Sequence, residues 1–435
     1  MDFYYKGKKI KTVGFVGFGI SNSSLYLYLK ERYPDLTFSL RIPHGSVPEF
    51  KGRIFAGENF LNCVFEDLLF FSPSIKREGD FNGATVSSDI EFFFLSGSRR
   101  VYGISGSDGK STSSTFLSLL IENSALCGNI GVPVSNFLDY SGDVVMELSS
   151  FQLNYFSPHL YASTLTNLSE NHLDFHGSFE NYVGAKENIF KNSSHVAISA
   201  DMLYSDFFSK KFKPFCVYSY EKDFNTLRQE YKAERYITQS DGWIYENGIR
   251  KLNAKRLLSF GEHTLKNFMS ALSLLDSFTG RENFVISSFT PLNHRCTKVL
   301  TRGGVDFYDS SIDSSPERCA ITLSRFSKNV ILILGGRDKS LSLTPLKSVI
   351  PRCVKFCVLY GECGRKMMSE LQDTPEIRDT GIGFRYFESF FDAVSFAKAF
   401  SVKGDSVLLS PAATSYDQFA NFEARGDEFT RIIKL

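Results

Sequence analysis

The sequence predicts an α/β protein built from parallel sheets covered by helices. Strand signals alternate with helical signals along much of its 435 residues, an order typical of parallel strands joined by helices. The chain is too long for one hydrophobic core, since a domain usually holds about 100–200 residues. We therefore expect three domains, over residues 1–97, 98–291 and 292–435.

The first domain opens with a pattern that is typical of nucleotide binding. A predicted strand runs into the turn Gly17-Phe-Gly19, and a predicted helix over residues 21–32 follows, capped by Ser21 or Asn22. Ser23 stands near the place of the third glycine of a dinucleotide fingerprint. The turn therefore supports a nucleotide-dependent oxidoreductase only weakly, because the third glycine is missing.

The central domain begins with a predicted strand, Val101–Ser105, that leads into a glycine-rich turn ending in Gly-Lys-Ser-Thr. Such glycines let successive backbone N–H groups curl around phosphate oxygens, and the N-terminus of the following helix adds positive potential. Lys110 is expected to reach the β- and γ-phosphates of a triphosphate, while Ser111 or Thr112 offers a hydroxyl to Mg²⁺. The spacing of the glycines departs slightly from that of the usual phosphate loop.

The rest of the chain continues the alternation. Further strands are predicted over residues 12–18, 144–148, 162–167, 329–334, 355–360 and 406–409, and helices over residues 179–191 and 416–433. Residues 201–262 are polar and poorly periodic, so peripheral hairpins are expected there.

Composition excludes several kinds of partner. The net charge is +1 and no long basic run occurs, which argues against nucleic acid and against an anionic membrane surface. The eight cysteines include no CxxC pair and are expected to be reduced thiols. The densest apolar runs are too short to span a bilayer. We therefore expect no membrane insertion and a cytoplasmic protein.

Ten short motifs follow one another in order along the chain. They are residues 106–112 (GSDGKST), 128–131 (GNIG), 147–153 (ELSSFQL), 167–174 (NLSENHLD), 185–186 (AK), 261–267 (GEHTLKN), 294–295 (HR), 309–310 (DS), 334–339 (LGGRDK) and 409–426 (LSPAATSYDQFANFEARG). In this order they resemble the Mur ligases of bacterial cell-wall synthesis, and the resemblance covers nearly the whole chain.

The resemblance implies a fold and an activity. It implies a Rossmann-like UDP-binding domain, a central P-loop ATPase-type parallel sheet and a C-terminal Rossmann-like domain, in a monomer. The motifs 147–153 and 409–426 are most similar to those of the members that join D-glutamate to UDP-N-acetylmuramoyl-L-alanine, with ATP and an acyl-phosphate intermediate. The alternative is a related Mur or folylpolyglutamate-type ligase that uses a different amino acid.

The resemblance also implies the residues that serve ATP and metal. The catalytic residues would be Lys110, His172 and Lys186. ATP would contact Gly106, Ser107, Asp108, Gly109, Lys110, Ser111, Thr112, Asn267, Arg295 and Asp309. Two Mg²⁺ ions would be held by Ser111, Glu147, His172 and Lys186, the last of these carbamylated by CO₂.

Further residues are implied for the other two substrates. The UDP-linked substrate would contact Ile20, Ser21, Ser72, Asn129 and His172. The incoming D-glutamate would be held by Lys339, Ser415 and Phe422, since a dicarboxylate needs cationic and hydroxyl donors.

The chemistry of one candidate residue is independent of the resemblance. Glu147 ends a predicted strand, where a carboxylate can bridge Mg²⁺ ions that neutralise a transferring phosphate. A rival interpretation is a zinc site made of His172, Asp174 and His176 at alternate strand positions, although no further His or Cys cluster lies nearby to complete it.

Several positions depart from the family pattern. Asp108 stands in the phosphate loop where Asn is usual, and Ser311 and Asp313 replace a lysine and a threonine. An anion at position 313 is expected to repel a substrate carboxylate. Leu40 and Arg41 stand where an acid and a threonine are expected to contact uracil.

Overall fold

The structure, a computed structural model, describes residues 2–43, 50–130, 132–290, 294–338 and 341–435. The chain divides into two compact units, residues 1–289 and 290–435. The first unit contains both of the sheets expected for the first two domains, and the predicted boundary at residue 97 falls between those sheets. The division into three domains stays a prediction.

The first sheet of unit one is wholly parallel, with strand order β5-β4-β3-β6-β7. A short antiparallel pair, β1 (Phe3–Tyr5) and β2 (Lys8–Ile10), precedes it. Its strands are β3 (Thr12–Val16), β4 (Thr37–Ile42), β5 (Arg53–Ala56), β6 (Leu68–Phe71) and β7 (Thr85–Ser87). Its helices are α1 (Ile20–Arg32) and α2 (Asp89–Leu95).

The cap of α1 differs from the prediction. Its N-cap is Gly19, and no side chain caps it. Asn22 lies inside the helix, where its amide donates to the carbonyls of Val16 (3.3 Å), Gly17 (2.8 Å) and Phe70 (3.0 Å). These hydrogen bonds hold the glycine turn against the sheet. Asn22 therefore makes buried tertiary contacts instead of capping the helix, which is its local preference.

The second sheet has the order β16-β15-β14-β13-β12-β11-β8-β10-β9. Its strands other than β15 and β16 run parallel. Its strands are β8 (Val101–Ser105), β9 (Ala125–Gly128), β10 (Val144–Glu147), β11 (His159–Leu165), β12 (Asn192–Ser199), β13 (Cys216–Ser219), β14 (Arg235–Ser240), β15 (Trp243–Glu246) and β16 (Ile249–Asn253). Its helices are α3 (Lys110–Leu120), α4 (Ser150–Leu153), α5 (Leu173–His176), α6 (Phe179–Lys191), α7 (Ser205–Phe212), α8 (Phe224–Glu230), α9 (Lys255–Leu258), α10 (Glu262–Leu272) and α11 (Glu282–Ser288), with a 3₁₀ turn at Val134–Phe137.

Residues 201–262 were predicted as peripheral hairpins, which is only partly right. Strands β14, β15 and β16 do form an antiparallel meander at the sheet edge. Strands β13 and β14, however, extend the central sheet in parallel and are joined by α8. Their buried apolar positions, such as Val217 and Ile237, are too few for a clear period in the sequence.

The second unit has one mixed sheet of order β17-β18-β22-β19-β20-β21, in which only the β17–β18 pair is antiparallel among the described strands. Its strands are β17 (Thr297–Arg302), β18 (Val305–Asp309), β19 (Val330–Gly335), β20 (Val354–Tyr360), β21 (Gly383–Phe387) and β22 (Ser406–Leu409). Its helices are α12 (Pro316–Leu323), α13 (Thr344–Lys347), α14 (Ile350–Cys353), α15 (Gly361–Gln372), α16 (Pro375–Arg378), α17 (Phe390–Phe400) and α18 (Phe422–Lys434).

Each large sheet is covered by apolar helices, as the alternation predicted. One buried cluster joins the first sheet to one face of the second, from Phe3 to Phe208, and another fills the opposite face of the second sheet. Across the described ranges, no helix has the length and apolar character needed to cross a bilayer.

Candidate active site

The phosphate loop lies at the carboxyl edge of the second sheet, directly after β8. Two of its glycines have positive φ angles, 143° at Gly106 and 76° at Gly109. A Cβ atom at Gly106 would collide with the hydroxyl of Thr166, and one at Gly109 would collide with the amide of Asn267. Glycine is therefore required at both positions by backbone angle and by close packing.

Residues that follow β11 hold this loop in place. The backbone N–H of Asp108 donates to Asn167 Oδ1 (2.8 Å), and the Thr166 hydroxyl donates to the Asp108 carbonyl. The Ser107 hydroxyl donates to the Ser169 carbonyl (3.0 Å). Because β11 and β8 are neighbouring parallel strands, the segment that follows β11 lies against the phosphate loop that follows β8 and holds it in place.

Two lysines donate to the same loop carbonyl. Lys110 Nζ lies 2.9 Å from the Gly106 carbonyl oxygen and 2.8 Å from that of Ser107. Lys186 Nζ lies 2.8 Å from the Gly106 oxygen and 3.0 Å from Ser105 Oγ. Lys110 of the loop and Lys186 of α6, which are distant in sequence, therefore meet at one carbonyl oxygen.

Lys186 is in an unusual environment for a lysine. Only 1% of it is exposed, and its ammonium lies over the ring of Tyr182. Burial lowers the pKa of this ammonium well below its usual range, and the nearby charge of Lys110 lowers it further, against the opposing pull of Glu147 and Asp108. The Lys186 side chain is thus shifted toward the neutral amine.

Glu147 ends β10 on the other side of the loop. It is 1% exposed, and its Oε1 accepts a hydrogen bond from Asn129 Nδ2 at 2.7 Å. Its Oε2 is buried and has no hydrogen-bond partner among the described residues. A buried carboxylate oxygen without a partner is costly, and a bound cation is the kind of neighbour that would satisfy it.

His172 lies at the rim of this edge. It has a positive φ of 53° and precedes α5, and its ring contacts that of Phe151 at 4.7 Å between centroids. Its side chain is exposed, unlike those of Glu147 and Lys186. The structure therefore places His172 beside the site and accessible to a ligand.

The strand on which the zinc interpretation of the His172 segment rested is not formed. The segment forms the short helix α5 rather than a strand, so alternation does not place its histidines on one face. His176 is buried, and its Nε2 lies 3.1 Å from Ser150 Oγ. Among the described side chains, no group of three or more His, Cys, Asp or Glu residues could hold a metal ion.

The turn predicted to bind the UDP-linked substrate is formed by two neighbouring strand ends of the first sheet. Ile20 and Ser21 begin α1, and Asn22 Nδ2 also donates to Ser72 Oγ (3.2 Å), which brings Ser72 to the glycine turn. Arg41 is fully buried and its guanidinium binds both oxygens of Glu66, at 2.8 and 3.0 Å. Its donors therefore face the protein interior rather than a uracil ring.

In the second unit, His294 and Asp309 form a buried pair. His294 Nδ1 lies 2.6 Å from Asp309 Oδ2, and the hydrogen bond to this carboxylate raises the pKa of the imidazole. The other oxygen of Asp309 accepts the backbone N–H of Ser311 (2.9 Å). The carboxylate of Asp309 thus orients the His294 ring and the Ser311 backbone. The contacts of Asp309 and Arg295 with ATP stay predictions.

The predicted D-glutamate residue Phe422 is linked through Ser311 to a buried arginine. Arg425 is wholly buried, and its guanidinium donates to Ser311 Oγ (2.9 Å) and to the Ser311 carbonyl (2.8 Å). The Ser311 hydroxyl in turn donates to the Phe422 carbonyl (2.8 Å). Ser415, 2% exposed, lies in the loop before α18. Lys339 lies outside the residues that the structure describes.

Asp313 is a buried residue that contacts Ser410, the first residue of the loop that carries Ser415. It is 5% exposed and its Oδ2 accepts the Ser410 hydroxyl at 2.7 Å. Burial raises the pKa of this carboxyl, and hydrogen bonds from Ser310, Thr322 and Ser410 only partly oppose that shift. The raised pKa favours the neutral acid, and the expectation that an anion at position 313 repels the substrate stays a prediction.

Comparison with known proteins decides the family. The family described as Mur ligase middle domain matches residues 104–275. A UDP-N-acetylmuramoylalanine--D-glutamate ligase from Acetivibrio thermocellus is 32% identical, with 100% of this chain and 98% of the relative covered. One of the same name from Ruminiclostridium cellulolyticum is 31% identical, with the same coverage. This chain belongs to the Mur ligase family.

Solved structures support the same fold. A murein peptide ligase from Psychrobacter arcticus has a TM-score of 0.53 at 13% identity, covering 98% of this Mur ligase and 99% of that chain. MurF ligase from Thermotoga maritima, in complex with ADP, also has a TM-score of 0.53, at 14% identity, covering 97% and 95%. At these identities the likeness concerns the fold alone.

The structure brings the predicted residues of this Mur ligase into separate groups. The loop, Asn267, Glu147, Asn129 and Lys186 meet at one edge of the central sheet, with His172 at its rim. Two supporting residues, Thr166 and Arg425, were given no role from the sequence, and Asn22 was given only the role of a helix cap. Thr166 could have been found, because it lies at the carboxyl end of the strand predicted over residues 162–167, whereas Arg425 contacts Ser311, more than a hundred residues away.

Proposed function

We propose that this Mur ligase joins D-glutamate to UDP-N-acetylmuramoyl-L-alanine at the expense of ATP, in peptidoglycan precursor synthesis. The observation that carries the proposal is the meeting of the phosphate loop, Glu147 and Lys186 at one sheet edge. The names of the full-length relatives favour D-glutamate over the alternative acceptors. ATP would phosphorylate the substrate carboxylate to an acyl phosphate, which the amine of D-glutamate then attacks.

The loop residues would bind the triphosphate. The backbone N–H groups of residues 106–112 and the N-terminus of the eleven-residue helix α3 offer positive potential. Lys110 would exchange its bonds to the Gly106 and Ser107 carbonyls for bonds to phosphate oxygens. Charge neutralisation of this kind is the main contribution that a protein makes to phosphoryl transfer.

The donors at this edge fit a magnesium ion. Glu147 Oε2 is buried and unpartnered within the described residues, and Ser111 lies in the first turn of α3. Carboxylate and hydroxyl oxygens are ligands that Mg²⁺ prefers. Mg²⁺ held by Ser111 and Glu147 would neutralise phosphate charge, and a second ion would be held by His172 and carbamylated Lys186.

Lys186 fits the carbamate proposal because of its burial. Carbamylation requires the neutral amine, whose nitrogen bonds to the carbon of CO₂ and releases a proton. The lowered pKa of Lys186 favours that neutral form. The product carries a negative charge and two oxygens, so it would attract a cation that the free ammonium would repel.

The remaining substrates would occupy the positions implied by the family. The UDP-linked substrate would contact Ile20, Ser21, Ser72, Asn129 and His172. D-glutamate would be held by Lys339, by Ser415 and by the backbone of Phe422. Asn267, Arg295 and Asp309 would serve the nucleotide. We further propose a monomer that acts in the cytoplasm, where ATP and UDP-sugars are made, and light scattering of the purified protein tests the monomer.

The proposal is tested by measuring phosphate release from ATP with UDP-N-acetylmuramoyl-L-alanine and a panel of D- and L-amino acids. We expect D-glutamate to support the fastest turnover, with release of one amide product. Much faster turnover with an amino acid that lacks a side-chain carboxylate would show that the acceptor is wrong. Absence of ATP turnover with every amino acid would reject the ligase activity itself.

A further inference from the structure

Arg99 lies in the short segment that joins the two large sheets of the first unit. It follows α2, the last helix of the first sheet, and precedes β8 of the second sheet. Its guanidinium donates to the backbone carbonyls of Phe137 (2.7 Å) and Leu138 (3.1 Å). The same guanidinium lies over the ring of Phe93 in α2, 4.5 Å from the ring centroid. Arg99 therefore connects a helix of the first sheet to a loop of the second.

That loop contains the 3₁₀ turn Val134–Phe137, which lies between β9 and β10. A second polar contact joins this turn to the first sheet. The Ser135 hydroxyl donates to Ser24 Oγ of α1 (2.8 Å), and the Ser24 hydroxyl donates to Asn136 Oδ1 (2.7 Å). Val134 is fully buried in the apolar cluster that the two sheets share. The 3₁₀ turn is thus the part of the second sheet that packs on α1 and α2.

The contact from Arg99 should be the stronger of these two polar contacts. The guanidinium is half-buried and charged, and hydrogen bonds from a charged donor are stronger than those between neutral groups. The bond from Ser24 to Asn136 is exposed, so water competes with it. Arg99 therefore fixes the 3₁₀ turn against the first sheet more firmly than the serine pair does.

The proposed contacts of the UDP-linked substrate are divided between the same two sheets. Ile20, Ser21 and Ser72 belong to the first sheet. Asn129 belongs to the second, because its backbone N–H donates to the Glu147 carbonyl (2.9 Å) and its side chain to Glu147 Oε1 (2.7 Å). The carboxylate of this substrate must also reach the phosphate loop of the second sheet. A bound substrate would therefore bridge both sheets.

We propose that Arg99 is a positioning residue for the UDP-linked substrate, because it sets the spacing between the glycine turn of the first sheet and Asn129 of the second. A ligand that bridges two sites binds more tightly when their spacing is fixed, since the second contact then forms at a high effective concentration. Without Arg99 the two sheets would sample other spacings, and the substrate would have to order them on binding. This inference rests on the substrate contacts of the proposed function.

The test compares two ligands by titration calorimetry. UDP reaches the turn of the first sheet, whereas UDP-N-acetylmuramoyl-L-alanine also extends to the phosphate loop of the second. In Arg99→Ala we expect binding of the full substrate to weaken about tenfold and binding of UDP to weaken less than about twofold. The KM for ATP should also change by less than about twofold, because the phosphate loop does not depend on this contact.

Arg100→Ala is the matched control. Arg100 is the next residue, 55% of its side chain is exposed, and it pairs with Asp143 of its own sheet at 2.6 Å. This variant should bind both ligands as the unchanged protein does. Arg99→Lys keeps a cation that can donate to one of the two carbonyls, so the full substrate should bind only about threefold more weakly.

Each outcome decides the inference. Equal weakening of UDP and of the full substrate in Arg99→Ala would show that Arg99 supports the first sheet alone, and would overturn the proposal. Absence of UDP binding to the unchanged protein would also overturn it. If Arg99→Ala does not fold, Arg99→Lys decides by the same comparison. Full-substrate binding that is unaffected in Arg99→Ala rejects this inference alone, whereas an unchanged protein that does not bind the full substrate also rejects the proposed function.

Discussion

The phosphate loop and the segment Asp309–Asp313 both follow a strand at the carboxyl edge of a parallel pair, yet they use charge in opposite ways. In the loop, Lys110 is partly exposed and donates to carbonyls three and four residues away. In the other segment, Ser311 contacts Phe422 and Arg425, and Asp313 contacts Ser410, all about a hundred residues distant. The charged groups of the loop are available to a ligand, whereas the polar groups of the segment form hydrogen bonds within the protein interior.

The largest expected effect comes from the loop. Lys110→Ala should reduce ATP turnover by about 10³-fold or more, because a positioned cation on the transferring phosphate is lost. Binding of the UDP-linked substrate, measured by calorimetry, should change less than about twofold, since its proposed turn lies on the first sheet. Lys232→Ala is the control, an exposed lysine of the same unit that lies outside the ten motifs. If a folded Lys110→Ala variant loses ATP turnover and binding of the UDP-linked substrate equally, the two functions are not separated between the loop and the first sheet.

Lys186→Ala should be almost as damaging, for a different reason. It removes the proposed carbamate, so turnover should fall by about 10²–10³-fold. A small carboxylate such as acetate should enter the space left in Lys186→Ala and partly restore turnover, but should not restore Lys110→Ala. Mass analysis of the unchanged protein under CO₂ gives an independent readout. Near-normal turnover of Lys186→Ala, or an active enzyme with only free lysine, would make Lys186 a structural residue.

The difference between the two regions also explains what the sequence could predict. The loop, the strand before it and the helix after it are local in sequence, and Val101–Ser105 and Phe179–Lys191 were predicted with the bounds that the structure has. The burial of Asp313 could not be predicted, because its partner Ser410 is about a hundred residues away and no local pattern brings it near. Asn22 was misjudged for the same reason, since three carbonyls of the sheet edge compete with the helix cap.

Arg425 should have an intermediate effect that is mainly structural. Its guanidinium donates to Ser311, Tyr360 and Ala413, so Arg425→Lys leaves buried acceptors unpaired. We expect the free energy of unfolding to fall by about 2–4 kcal/mol, measured by denaturant titration. The KM for D-glutamate should rise more than the KM for ATP, because Ser311 positions the start of α18.

The control for Arg425 lies on the same helix. Arg431 is 56% exposed and pairs with Glu428 at 2.7 Å, three residues away. Arg431→Lys should leave both unfolding and kinetics nearly unchanged. If Arg425→Lys is as stable as the Arg431 variant, the buried network does not support the segment around Ser311.

The smallest expected effect is on stability and depends on pH. The pKa of Asp313 is raised by burial, so the folded protein prefers the neutral acid, and stability falls as pH rises from the ordinary aspartate range through that raised pKa. Asp313→Asn should therefore melt at a higher temperature than the unchanged protein at pH 8, and the difference should shrink at pH 5. Asp306 gives the opposite case, because its hydrogen bonds to Lys298 and Thr301 lower its pKa. Asp306→Asn should melt slightly lower at both pH values, since its stabilising carboxylate is lost only as pH falls below the ordinary range. If Asp313→Asn instead lowers the melting temperature at pH 8 and weakens D-glutamate binding, then the Asp313 carboxylate faces the substrate, and its interior role is wrong.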